Sequence, residues 1–242
     1  MEKLTTAGLK WMMLTGVAVV IGLVGAWLMW EFNLGPFAGS NDGSTLVRYY
    51  TGEDFGLTRV LSETDFDGDG VDDYTELLNG ARKDIENHPR YDGSYVDGGF
   101  PPDDVGVCTD VIWRAFREAG YNLREMVDAD IAARPEAYPW ITERDKNIDF
   151  RRVNVLAVFF AEYAEELTTD TSEIAEWQPG DIIIAENGNH IGMVSDRRNA
   201  EGRAYIIHNG GQPNLEEDYM KRVTPEKHFR FIPGDGGVAW AE

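Results

Sequence analysis

From Trp11 to Trp30 the chain runs twenty residues without a charge, WMMLTGVAVVIGLVGAWLMW. As a helix rising about 1.5 Å per residue, such a run spans about 30 Å, the thickness of a bilayer's hydrocarbon core. A folded domain cannot be built through it, so the rest of the chain must make its core behind it. Lys3 and Lys10 precede the run, Glu31 and Asp42 follow it, and Trp11, Trp27 and Trp30 stand at its ends like interfacial anchors. The positive-inside bias therefore places residues 1–10 in the cytoplasm and the main body outside, with a single-pass membrane anchor over residues 11–32. A cleaved signal peptide is the competing reading. Its apolar part is shorter, about 7–15 residues, and ends at small residues. This run ends in the bulky WLMWEF, although Phe37-Ala38-Gly39-Ser40 offers a weak cleavage site, and no cysteine follows it closely enough to carry a lipid. A retained anchor is the favoured reading.

Behind the anchor the composition changes three times. Residues 33–50, rich in Gly, Ser and Asn, read as a tether. Residues 51–80 hold a dense acidic cluster, residues 81–232 alternate helical and strand patterns, and residues 233–242 read as a flexible tail. The whole chain carries 43 Asp+Glu against 22 Lys+Arg, a net charge of −21. That balance repels phosphate backbones, so no nucleic-acid partner is expected, and it suits cations. Cys108 is the only cysteine, which excludes an intramolecular disulfide.

Apolar residues recur at helical spacing in three stretches. Tyr74–Asn87 aligns Leu77, Leu78, Ala81 and Ile85. Cys108–Ala119 aligns Val111, Ile112, Ala115 and Phe116 and stops at Gly120. Val153–Glu166 aligns Leu156, Phe159, Phe160 and Tyr163. The period then shortens: Asp181-IIIA, His190-IGMVS, Ala204-YIIHN and a segment near His228-FRFI are β-branched runs between turn residues, predicting adjacent antiparallel strands. Helices first and strands second predict an α+β domain.

The segment Asp65–Glu76, DFDGDGVDDYTE, fits the twelve-position EF-hand calcium loop throughout. Asp65, Asp67 and Asp69 would supply carboxylates and Val71 its backbone carbonyl. Asp73 would act directly or through water, and Glu76 would close the site with both oxygens. Gly70 falls where the chain must turn sharply. The helix after the loop is well patterned, whereas the entering segment GLTRVLSE is short, which argues for a single structural Ca²⁺ brace rather than a paired-hand sensor.

Cys108 opens a helix, where backbone N–H groups favour thiolate and can hold an oxyanion. His190 starts a strand. Gly192, two residues on and on the same face, would leave room for a substrate backbone beside the imidazole. His208 and Asn209 end the neighbouring strand. Successive strand residues face opposite ways, so only one of them can meet His190 and orient it. Asp110 reads as a helix cap and Asp181 as the fixer of the turn Gln178-Pro179-Gly180. Arg151 and Arg152 could hold an acidic substrate group or be ion-paired, while His88 and His228 read as structural or solvated.

Beyond these readings, the stretch from about Tyr91 to Ile232 resembles the bacterial family catalogued as domain of unknown function 1287. The likeness rests on YDGSYVDGGFPPDDVGVCTDVIWRAFREAGYNL, NIDFRRVNVLAVFF, WQPGDIII, HIGMVSD and IIHN. The order of Cys-helix, Gly-Asp strand, His-Ile-Gly strand and Ile-His strand is similar to that of the NlpC-type, papain-like cysteine peptidases. The resemblance implies a papain-like domain with N-terminal helices packed on an antiparallel sheet. It further implies Cys108 as nucleophile, His190 as base, His208 as orienting residue, and an amidase or peptidase acting on amide bonds of peptidoglycan stem peptides. It needs no cofactor for the chemistry and places the domain outside the cytoplasmic membrane of a bacterium. Phe150 departs from the family, where His is expected. Two other classes compete: a zinc site made of Cys108, His190 and His208, and a non-catalytic module binding wall peptides or a partner in a papain-like groove.

Overall fold

The computed structural model describes residues 48–234 and 237–240. The apolar run Trp11–Trp30 and most of the tether lie outside them. Among the described residues no helix is long and apolar enough to cross a membrane. In chain order the elements are α1 (Asp73–Glu86), β1 (Arg90–Tyr91), β2 (Val105–Gly106), α2 (Cys108–Glu118), α3 (Leu123–Ala133), α4 (Val153–Tyr163), β3 (Ala164–Glu166), β4 (Ile182–Ala185), β5 (His190–Arg198), β6 (Ala204–Ile207), β7 (Glu216–Glu217) and β8 (Lys227–Phe231). This is the expected α+β arrangement. The main sheet has the order β3-β8-β4-β5-β6-β7 with every neighbour antiparallel, while β1 and β2 form a short parallel pair.

The sheet is covered on both faces, which is why β4 is a continuous apolar run rather than an alternating one. On one face Ile182, Ile184, Ile191, Met193, Ile207, Phe229 and Phe231 pack against the helices, whose contribution includes Val111, Ile112, Phe116, Leu156 and Phe160. On the other, Ile183, Ala185, Val194 and Ile206 pack with Trp177, Tyr219 and Met220. Helix α1 lies against α2 at Gly80, where a Cβ would come within 2.8 Å of Ala115 Cα. The fully buried pair Arg114 Nη1–Asp84 Oδ1, 2.6 Å apart, ties the same two helices.

Four expectations are corrected. Helix α4 stops at Tyr163, not Glu166, because the backbone extends at Ala164 (φ −138, ψ 155) and pairs with Phe231 of β8. Helix α3 was not among the expected elements; Asn122 caps it by accepting the Glu125 N–H, and Leu123, Met126, Val127 and Ile131 are buried. The boundary at 80/81 falls inside α1, so the acidic loop and the main body share one helix. The tail is bound rather than free: Asn122 N–H donates to Val238 O (2.7 Å), Trp240 N–H donates to Gly120 O (2.7 Å), and Trp240 stacks on Trp113. At the other end, Tyr50 bridges Arg198, so the tether is already part of the fold at its last residue.

Candidate active site

Cys108 is the first residue of α2, following Val107 in extended conformation. Asp110 caps the helix as expected, its Oδ2 accepting the Val107 N–H at 2.8 Å. The same carboxylate is gripped by Arg151 through Nε–Oδ1 (2.7 Å) and Nη2–Oδ2 (2.9 Å) and by Trp113 Nε1 (2.7 Å). Arg151 is therefore an internal strut with both partners desolvated, and its candidacy for a substrate group is withdrawn. Arg152 pairs with Asp149 but is half-exposed and lines a cleft of about 620 Å³ with Asn154, Asn187 and Asn189.

The backbone N–H groups of Ile191, Thr109 and Cys108 itself each favour the thiolate electrostatically. Burial outweighs them: the residue is 7% exposed, and its thiol is pushed up to about 11 by desolvation, with Asp110 adding. The thiolate-favouring surroundings expected of a helix start are thus overridden, and the sulfur is held as a thiol. Among the described residues no hydrogen bond joins it to His190.

His190 and His208 meet on the sheet face opposite Ile191 and Ile207, with His190 Nε2 2.8 Å from His208 Nδ1. His208 Nε2 lies 3.1 Å from Glu217 Oε1, and Glu217 is held in turn by Arg222 at 2.6 Å. A carboxylate only accepts, so His208 carries its proton on Nε2 and presents a lone pair at Nδ1. That lone pair faces two donors, His190 Nε2 at 2.8 Å and the Gln212 amide at 3.2 Å; accepting the His190 Nε2–H leaves His190 Nδ1 as the basic nitrogen. Both rings are pushed below the ordinary histidine range by burial. His208 falls to about 3, with His190 and Arg222 lowering it further. Glu217, neutralised by Arg222, gives the ring an acceptor rather than a net charge. The buried Tyr219 packs against both rings and donates to Glu186 Oε1 at 2.8 Å.

Asn209 is turned the other way. Its Nδ2 donates to Pro89 O (3.2 Å) and Gly106 O (3.1 Å), so it fastens the backbone ahead of α2 and cannot orient His190. The room expected beside Gly192 is filled: a Cβ there would lie 2.6 Å from Ile206 Cγ2 and 3.2 Å from His208 Cβ, so the glycine admits β6, not a substrate. The zinc reading also fails on geometry. Among the described residues Cys108, His190 and His208 do not bring ligand atoms within 4.8 Å of one another, and the two imidazole nitrogens, 2.8 Å apart, share a proton instead. His228 is structural, stacked on Trp177 and bonded to Asp181 and Thr168 O. Asp181 accepts the Gln178 N–H, fixing the expected turn, and pairs with Arg230. His88 is exposed and lines a cleft of about 240 Å³ with Tyr91, Asn209 and Gln212. Phe150 is fully buried. Glu217 and Tyr219 carried no motif; Glu217 sits in NLEEDY, which reads as a solvated acidic edge.

In the acidic loop, Asp65, Asp67, Asp69 and Glu76 bring carboxylate oxygens within 4.8 Å of one another. Val71 gives its N–H to Asp69. Asp73 stands apart from the four: it is fully buried, accepting from Tyr121 OH (2.7 Å) and Phe66 N (2.9 Å).

Comparison with known proteins places this geometry in a lineage. The family model "Domain of unknown function (DUF1287)" matches residues 78–231. The protein named "Uncharacterized protein YijF" of Escherichia coli (strain K12) is 36% identical over 166 residues, which are 64% of this chain and 80% of that protein. No solved structure matches. The matched segment contains Cys108, His190, His208 and Glu217 and begins just after Glu76, the last residue of the acidic loop.

Proposed function

This chain belongs to the DUF1287 family, and on that premise we propose that it is a thiol amidase of papain-like, NlpC-type descent, anchored at the cytoplasmic membrane by Trp11–Trp30 and facing the cell wall. Its substrate class is the amide bonds of peptidoglycan stem peptides. The observation that carries the reading is the chain Arg222–Glu217–His208–His190, which leaves His190 Nδ1 basic on the residue before Ile191, whose N–H favours the Cys108 thiolate. A buried histidine pair needs no carboxylate to be stable, but a general base needs its tautomer fixed.

In the reaction, His190 Nδ1 takes the Cys108 proton as the sulfur adds to the amide carbonyl carbon. N–H groups at the start of α2 hold the oxyanion. His190 then gives its proton to the leaving amine as the C–N bond breaks. A water, deprotonated by His190, adds to the thioester, the C–S bond breaks, and the proton returns to sulfur. His208 and Glu217 act as positioning residues. Arg152, half-exposed on the cleft beside the turn that precedes His190, is suited to an acidic group of the stem peptide.

The test is digestion of purified peptidoglycan by the full chain in mild detergent, read by mass spectrometry. New muropeptides that vanish in Cys108→Ala are expected. Their absence with active-site folding intact overturns the enzyme reading. One observation favours a second reading: the thiol is buried and protonated, as in a peptide-binding module. That module would retain wall binding in both wild type and Cys108→Ala without cleavage by either.

A further inference from the structure

The acidic loop takes no part in the chemistry proposed above, and two observations on it point to a ligand. Asp65, Asp67 and Asp69 are exposed, whereas Glu76, whose carboxylate joins theirs within 4.8 Å, is 5% exposed. Its Oε2 is shut off from solvent and has no hydrogen-bond partner among the described residues. Leaving a buried carboxylate without a donor is strongly unfavourable, and here three further carboxylates face it. Folding places this group at the floor of an oxygen ring, where only a proton or a cation can satisfy it. The donor set is all oxygen, which disfavours zinc and other thiolate- or imidazole-loving metals. Four carboxylates on a turning loop, with Gly70 at φ +97, exceed the one or two that magnesium uses and match a larger, flexible shell of calcium type.

The same loop is clamped onto the far end of the Cys108 helix. Phe66 stacks on Tyr121 with ring centroids 4.0 Å apart. Asp67 lies against Gly120, where a Cβ would meet Asp67 Cβ at 2.7 Å. Asp73, within the loop, accepts from Tyr121 OH at 2.7 Å. Gly120 and Tyr121 directly follow α2, and Tyr121 N–H donates to Phe116 O of that helix at 2.8 Å. Whatever fixes Asp65–Glu76 therefore fixes the end of α2 opposite its sulfur.

We propose that Asp65, Asp67, Asp69 and Glu76 bind one calcium-class divalent cation, and that its occupancy locks Phe66, Asp67 and Asp73 onto Gly120–Tyr121, bracing the helix that carries Cys108. This inference does not depend on the amidase reading, since its test uses no substrate. The full chain is stripped with EGTA and titrated calorimetrically with calcium chloride, then with magnesium chloride. Amide exchange is measured with and without calcium. One equivalent of calcium is expected, at a Kd of about 10⁻⁵ to 10⁻³ M, with magnesium at least tenfold weaker. Asp67→Asn, an exposed change that keeps Cβ, and Glu76→Gln should each weaken calcium at least tenfold. Glu76→Gln should melt above wild type in EGTA and below it in calcium, a reversal that a merely structural glutamate does not produce. Calcium should slow exchange at the Gly120, Tyr121 and Asn122 amides. No heat at millimolar calcium, unchanged affinity in both variants, or magnesium binding as tightly overturns the site. Calcium binding with slowed exchange confined to residues 65–76 overturns the brace.

Discussion

The Cys108 sulfur stands between opposing effects, and burial decides. Helix-start amides and the Ile191 N–H stabilise a thiolate, yet the thiol is pushed up to about 11 because the group is sealed from water. The folded state therefore prefers the protonated form. Its contribution to stability is complete below the ordinary thiol range and is lost as pH rises toward about 11. The iodoacetamide reaction rate of Cys108 should climb steadily from neutral pH without levelling near the usual thiol pKa of about 8.5. A plateau below pH 7 in a stopped-flow profile contradicts this picture. His208 follows the opposite sign. Its folded pKa of about 3 lies below the free value, so the unfolded chain binds the extra proton. The stabilisation is complete above the ordinary histidine pKa of about 6.5 and is lost as pH falls toward about 3. The unfolding free energy of wild type minus that of His208→Gln should be flat above about pH 6.5 and fall below it, by at most about 1.4 kcal/mol per pH unit. A difference curve flat down to pH 4 sinks the assignment.

At the scale of elements, the buried Asp110–Arg151 pair ties the start of α2 to the turn before α4. Removing one partner leaves a buried charge, which costs about 3–5 kcal/mol. Arg151→Met should lose about that much in urea unfolding, and adding Asp110→Asn should recover part of it. A loss below 1 kcal/mol would mean that the pair is solvated in solution. Neither residue announced this pairing, because an Arg-Arg dipeptide looks the same whether it faces substrate or core. The elements themselves were more legible. Helices α1 and α2 follow from apolar period, since packing against one layer imposes it, and strands β4, β5, β6 and β8 follow from β-branched runs between turn residues. Helix α3 was equally patterned, with Asn122 as cap and buried Leu123, Met126, Val127 and Ile131, and this spacing could have found it. The end of α4 could not be read, because Ala164 leaves the helix to pair with β8, a contact distant in sequence. For the site, strand alternation set His208 and Asn209 on opposite faces, but which one meets His190 depended on the register of β5 with β6. Glu217 was hidden for the same reason.

At the scale of the whole molecule, the segment matched by the family model and the unit that folds are different lengths of chain. The match covers residues 78–231, yet residue 78 lies inside α1. Leu77, just before it, is fully buried in the principal core. The fold begins further back, where Tyr50 pairs with Arg198 across β5, and Gln178 Oε1 accepts the Val60 N–H at 3.0 Å. It also extends further on, because Val238 and Trp240 close over Gly120–Asn122. A fragment of residues 78–231 loses the first turn of α1 with its Asp72 cap, worth about 1 kcal/mol. It also loses the buried Leu77, worth about 2–5 kcal/mol by analogy with core truncation. The Trp240 stack on Trp113 adds about 0.5–1.5 kcal/mol beyond its buried area. Against a total stability of about 5–15 kcal/mol, those losses are enough to leave the fragment largely unfolded at 25 °C. A fragment of residues 48–242 should unfold in one cooperative transition with coincident fluorescence and circular dichroism curves. Fluorescence of the shorter piece should resemble the denatured chain, and its amides should exchange without protection. If instead it unfolds cooperatively at a similar urea midpoint, then the loop, α1's first turn and the tail are appendages rather than parts of one core.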